Sequence, residues 1–391
     1  MTTRAAIPDI RSLTGIRFFA AAWVVLFHQR EQIAALCPAF ALFQPLINSG
    51  HLAVPFFFIL SGFILSHVYF PTYSLNQHPR FLWLRFARLW PVHLMMLLPF
   101  LAYVGAVSIK RGYIPEAQFA FSAILPELAM VRSWYSSDLL WNMPAWSIQC
   151  EWFAYCILFP LCFLTLRPIK NPFVAAAMAM ILLLTHSLIP QSTFPGLTGS
   201  ILFLFCAGCA IQRLRNLWPN APGPILTFAG ITCFLFGLTT ASQIAYIFSF
   251  AVIILGLSYE QGLIARLLST RPVVYGGVIS FSLYMTHYAA FKFIGEGFKN
   301  HQPTTPAQGY ALVAASITVT LPVAAACQFL LEMPANRWLR RYGPSSTTPI
   351  VAPQSSIACI VAVPSPTPTR SVPFASNTPM APIDRDDSIR D

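Results

Sequence analysis

Residues 13–36 read LTGIRFFAAAWVVLFHQREQIAAL, and this stretch decides the fold class. A helix needs about 20 apolar residues to cross a bilayer, and this run supplies them. It nevertheless carries Arg17 and, eleven positions later, His28. Eleven residues of α-helix make about three turns, so the two side chains share one face and stand roughly 16 Å apart along the axis. An arginine and a histidine at membrane depth are costly to hold and mark function by default. His28 is therefore a candidate functional residue.

The rest of the chain agrees. Of its 391 residues, 56% are hydrophobic and only 9% are charged, against about 25% charged in a soluble domain. The expectation is an all-α, polytopic transmembrane bundle. Ten apolar stretches meet the length for a span, approximately 13–36, 46–69, 81–108, 144–166, 172–190, 194–212, 222–239, 241–257, 273–295 and 309–331. The formal charge of +11 reads as a topology signal, because Lys and Arg collect in cytoplasmic loops. With the N-terminus inside, 15 of the 24 Lys and Arg fall on the cytoplasmic side, six outside and three in the tail. An even number of spans with both termini cytoplasmic follows. No basic patch sits on a soluble domain, which argues against nucleic-acid binding.

Residues 1–342 form the expected membrane domain. Residues 343–391 are rich in Pro, Ser and Thr and read as a disordered cytoplasmic tail. Residues 109–143 form a long outer loop with Trp134, Tyr135 and Trp141, as aromatics collect at membrane interfaces. Ala39-Phe40-Ala41 resembles a signal-peptide cleavage site, but the apolar run before it is too long, so the first span reads as an uncleaved helix. The CAGC pair Cys206 and Cys209 lies inside an apolar span with no second pair, so helix packing is expected there and no metal. Spacing alone does not establish a disulfide between Cys37 and Cys150.

Polar residues at membrane depth fall into two layers. His28, Glu151 and His287 each lie about eight residues from an expected outer helix end, roughly 12 Å deep. Arg17, Arg85, Arg88 and Glu332 lie towards the cytoplasm. Arg85 and Arg88 share a helix face, and two guanidinium groups there suit phosphate or carboxylate. Each residue also has a plainer reading. The arginines could be headgroup anchors, His28 and His287 packing histidines, and Glu151 a structural partner of a cation. The joint pattern favours chemistry.

The motifs, in order, resemble those of the membrane-bound acyltransferase-3 family. IRSLTGIRFFAAAWVVLFH (10–28) is similar to its opening helix, and VPFFFILSGFIL (54–65) to its second-helix motif around Ser61-Gly62-Phe63. FLWLRFARLWPVH (81–93) supplies the Arg-x-x-Arg pair, and MPAWSIQCEWFAYCILFP (143–160) gives Trp146, Ser147 and Glu151. ISFSLYMTHYAAF (279–291) gives Tyr284 and His287, and LEMPANRWLR (331–340) closes with Glu332 and Pro334. Thr14 and Pro55 stand where family members carry acidic residues, so neither position is given an acidic role.

The resemblance implies an O-acyltransferase of the bacterial cytoplasmic (inner) membrane. Its donor would be an acyl-CoA, with acetyl-CoA favoured, used as a substrate; no permanently bound cofactor is implied. The acceptor would be a hydroxyl of a surface or exported carbohydrate, an exopolysaccharide such as cellulose. A polysaccharide synthase or export complex and membrane lipid are the expected partners. Arg17, Arg85 and Arg88 would hold the donor, and His28 and Glu151 would be catalytic. Ser61, Tyr284 and His287 would serve the acceptor or the oxyanion. A transporter or flippase of a lipid-linked sugar, and an inactive partner of a polysaccharide synthase, remain the alternatives on sequence alone.

Overall fold

A computed structural model describes residues 9–112, 119–138, 141–298 and 305–344. The tail expected at 343–391 lies outside them except for its first two residues. Among the described residues the chain is helical, without strands. Its main helices are α1 (Arg11–His28), α2 (Ala53–Tyr69), α3 (His78–Arg111), α4 (Ala145–Leu166), α5 (Pro172–Leu188), α6 (Leu202–Leu217), α7 (Gly223–Thr240), α8 (Gln243–Leu257), α9 (Arg271–Phe298) and α10 (Pro306–Ala326). Each apolar stretch expected from the sequence overlaps one of them.

Among the described residues, five helical segments are long and apolar enough to cross a membrane: Pro38–Tyr69, Leu75–Arg111, Ala145–Leu166, Gly223–Thr240 and Pro306–Tyr342. A sixth is reached if α8 and the short helix Gly262–Leu268, bent by 86° from it, form one broken span. The first stretch is not one helix. It ends at His28, turns at Gln29 and resumes as Arg30–Leu36. The break between α7 and α8 is equally short, with Ala241 at φ +53° reversing the chain.

Lipid offers no hydrophobic drive to pair apolar helices, so small residues that allow backbones to touch decide the packing. The crossing of α2 and α6 illustrates this. A Cβ on Gly62 would lie 2.1 Å from the Phe205 carbonyl oxygen, and one on Gly208 would lie 2.0 Å from that of Ile59. Each glycine thus lies against the backbone of the other helix at the crossing point. Gly208 is the second small residue of CAGC, and the Cys209 thiol reaches the Gly62 carbonyl at 3.4 Å. The CAGC run is thus a packing surface. Helix α1 crosses α9 in the same way, with Gly277 against the Thr14 carbonyl.

An aromatic stack ties α2, α3 and α4 together. The rings of Phe81 and Phe159 stack at 4.3 Å, with Tyr69 edge-on to Phe81 at 5.0 Å. Arg85 lies one turn beyond Phe81, so this stack fixes the root of the arginine pair. In the outer loop, Glu127 is fully buried. It accepts from Arg132 at 3.2 Å, from Gln149 Nε2 at 2.8 Å and from the Trp141 amide at 3.3 Å. Gln149 belongs to α4, so this cluster clamps the loop onto the helix that carries Ser147 and Glu151.

Candidate active site

Two cavities meet inside the bundle. The first, about 130 Å³, is lined by Arg17 of α1, Ser61 of α2, Arg85 and Arg88 of α3, Glu151 of α4 and Tyr284 of α9. The second, about 560 Å³, is lined by His28, His51, Trp146, His186, Tyr246 and Tyr284. Val54 and Tyr284 line both, and so form the partition between the arginine cavity and the histidine cavity.

The arginine cavity is rich in unspent positive charge. None of its three guanidinium groups has a carboxylate within 4 Å; the ion pairs among the described residues are Arg30–Glu31, Arg132–Glu127 and Arg132–Asp138. Arg17 and Arg88 make no hydrogen bond to a described residue. Arg85 donates to the Tyr69 hydroxyl and lies over that ring at 5.0 Å, while its Nε is buried without a partner. Arg85 is only 3% exposed, so it is enclosed by the bundle and does not snorkel to a headgroup. Buried Arg85 and half-buried Arg17 and Arg88, with donors to spare, suit a polyanion, since planar guanidinium groups grip phosphate with paired hydrogen bonds.

The carboxylate in this cavity is held in place. Glu151 Oε1 accepts the Ser61 hydroxyl at 2.7 Å and also the Tyr155 hydroxyl. Tyr155 sits on a π-helical turn, Ala154–Leu158, that interrupts α4 directly after the Glu151 turn. A second π-helical turn, Cys327–Glu332, carries Glu332, which accepts from Ser282 at 2.9 Å. Such turns often mark functional sites because they re-aim side chains within a helix.

In the histidine cavity, His28 Nδ1 lies 2.9 Å from the Val24 carbonyl and 3.3 Å from His287 Nε2. His287 is fully buried, and its Nδ1 lies 2.6 Å from the Tyr284 carbonyl. At the partition, the Tyr284 hydroxyl is 2.9 Å from Ser147 Oγ, which also reaches the Pro144 carbonyl at 3.0 Å.

The expected single layer of His28, Glu151 and His287 therefore divides. His287 touches His28, whereas Glu151 and Ser61 belong with Arg17, Arg85 and Arg88. The cause is where α4 begins. Met143 and Pro144 line the histidine cavity, so α4 starts at the level of that cavity and of His28. Seven residues further, Glu151 is roughly 10 Å beyond that level. Tyr284 touches both cavities. Tyr155 escaped the sequence reading, although its i+4 spacing from Glu151 was a usable signal. His51, His186 and Tyr246 carried none, being isolated polar residues in separate apolar runs.

The arginine cavity and the histidine cavity share a wall within a helical bundle, and sequence comparison specifies the class of protein. The chain belongs to the acyltransferase-3 family, whose acyltransferase domain matches residues 10–327. It is 27% identical over 377 residues to the acyltransferase MdmB of Streptomyces mycarofaciens, covering 86% of this chain and 94% of that protein. It is 22% identical over 331 residues to the peptidoglycan O-acetyltransferase OatA of Listeria monocytogenes serovar 1/2a, covering 73% of this chain and 50% of that protein. No solved structure matches. The protein is an acyltransferase, and the transporter reading finds no support in these comparisons.

Proposed function

We propose that this chain transfers an acetyl group from acetyl-CoA, supplied from the cytoplasm, onto a hydroxyl of an exported carbohydrate. The observation that carries the proposal is the shared wall. A polyanion held by Arg17, Arg85 and Arg88 would lie one residue layer, Val54 and Tyr284, from the cavity that holds His28. In this reading the CoA phosphates occupy the arginine cavity and the thioester reaches past Tyr284. The acceptor enters the histidine cavity, where Phe27, Trp146 and Tyr246 offer ring faces and Ser49, His51 and Gln243 offer polar contacts.

His28 then acts as general base. Its Nε2 takes the proton of the acceptor hydroxyl as the oxygen attacks the thioester carbonyl. The new C–O bond forms, the C–S bond breaks, and the CoA thiolate leaves with the proton returned by His28. The Tyr284 hydroxyl stands at the partition where the oxyanion would develop. Ser61 is committed to Glu151 and serves the donor side. Glu151 balances the cations and keeps the cavity from closing on itself.

The name of the relative OatA refers to O-acetylation of peptidoglycan, which favours acetyl as the group and a surface glycan as the acceptor. An exopolysaccharide such as cellulose is the proposed acceptor, with a polysaccharide synthase or export complex as neighbour. The proposed setting is the bacterial inner membrane, with ten spans and both ends in the cytoplasm. Mass spectrometry of surface glycans from a deletion strain tests this. Loss of O-acetyl groups, restored by the wild-type chain, is expected; an unchanged glycan profile overturns the acceptor class.

A further inference from the structure

The two histidines are joined in a way that fixes which nitrogen of His28 does chemistry. A carbonyl oxygen only accepts, so the 2.9 Å contact from His28 Nδ1 to the Val24 carbonyl requires a proton on Nδ1. The 2.6 Å contact from His287 Nδ1 to the Tyr284 carbonyl requires the same of His287. In the neutral ring the other nitrogen is then bare. His287 Nε2 therefore offers a lone pair, and it lies 3.3 Å from His28 Nδ1. The His28 proton is shared between the Val24 carbonyl and this lone pair. His28 Nε2, the nitrogen left over, has no partner among the described residues, and its ring lines the histidine cavity.

We propose that His287 is a positioning residue for His28, acting as a neutral imidazole acceptor in the place where a carboxylate often orients a catalytic histidine. This rests on the reading of His28 as the general base. The ring of His287 is fully buried, with Tyr284 at 5.9 Å and Phe291 at 5.8 Å between centroids. A carboxylate there would carry a heavy desolvation cost, whereas a neutral imidazole accepts the hydrogen bond without one. When His28 takes a proton on Nε2, its Nδ1–H stays shared between the carbonyl and the lone pair. The cation also forms at the C-terminal end of α1, where the helix dipole favours positive charge. The pair exists because α1 and α9 run in the same direction. They touch at Thr14 and Gly277 and again at His28 and His287.

The test uses the full-length chain in detergent with ¹⁵N-labelled histidines, assigned with H28N and H287Q. The imidazole ¹⁵N spectrum of the wild type reads the tautomers without any variant having to be active. His28 and His287 are both expected to carry their proton on Nδ1, with His287 Nε2 bare. A proton on His287 Nε2 would set two donors face to face and overturns the proposal. Turnover of acetyl-CoA supplies the second arm. His287→Gln, whose carboxamide oxygen can still accept, keeps kcat within a few-fold. His287→Phe lowers kcat by about tenfold or more at unchanged KM for acetyl-CoA. A wild-type kcat in His287→Phe also overturns it. If the wild type turns over no acetyl-CoA, the acyl-transfer reading fails, and the tautomers still decide the pairing.

Discussion

The Ser61 hydroxyl donates to Glu151 at 2.7 Å, joining α2 to α4 across 90 residues of sequence. Ser61 stands beside Gly62, whose lack of a side chain lets α2 lie against α6. The close helix crossing and the carboxylate clamp are therefore one device. The same carboxylate oxygen takes the Tyr155 hydroxyl, so Glu151 is fixed before any ligand arrives.

Removing this acceptor leaves two hydroxyl donors unpaired. Glu151→Ala is expected to cost about 1–3 kcal/mol of stability. Glu151→Gln keeps an oxygen at the same place and costs less, while changing the net charge of the arginine cavity. Thermal unfolding of the two variants in detergent checks this. Equal losses would mean that the hydrogen bonds contribute little.

Arg85→Gln and Arg88→Gln are expected to weaken donor binding. A hydrogen bond to a charged group contributes about 1.5–3 kcal/mol, so each variant should raise the acetyl-CoA Kd by roughly tenfold to a hundredfold. Calorimetric titration with acetyl-CoA reads the effect. Unchanged affinity would return these arginines to a structural role.

Gly208→Ala adds a Cβ 2.0 Å from the Ile59 carbonyl oxygen, so α2 and α6 must separate. Overpacking of this kind costs about 1–3 kcal/mol. Because Ser61 rides on the same crossing, activity should fall along with stability. Activity equal to wild type would show that the crossing tolerates separation.

Arg132→Ala strips the partner from a buried carboxylate and is expected to cost about 3–5 kcal/mol near neutral pH. Glu127 lies in the outer loop, where burial already pushes its carboxyl above the usual range and Arg132 opposes the shift. Without Arg132 the folded value rises further. A raised carboxyl contributes stability below its unfolded value, about 4.3, and loses it as pH climbs through the folded value. The deficit of Arg132→Ala should therefore be small in acid and grow towards neutral pH. Unfolding measured across that range checks the slope; a deficit independent of pH would contradict it.

Much of this was legible in the chain. Arg85 and Arg88 meet because i,i+3 spacing is a local property of a helix, and Arg17 and His28 share a face for the same reason. The CAGC run was readable as packing because nothing near it in sequence offered a ligand set. The division of the polar residues between two cavities was not readable. It depends on α4 starting at the level of the histidine cavity, near Pro144, which span counting from apolar length does not see. The contact of His28 with His287 depends on α1 and α9 crossing at Gly277. The π-helical turns at Ala154–Leu158 and Cys327–Glu332 have no sequence pattern of their own, yet the first places Tyr155 in the arginine cavity and the second sets Glu332 against Ser282.

The central claim is that His28 removes the proton from an acceptor while the donor is held elsewhere. The most direct measurement compares acetyl transfer from acetyl-CoA, and acetyl-CoA binding, for the purified wild type and His28→Ala. The account predicts wild-type acetyl-CoA affinity in the variant, with transfer reduced by about 10²–10⁴-fold. Transfer at the wild-type rate by folded His28→Ala would contradict it.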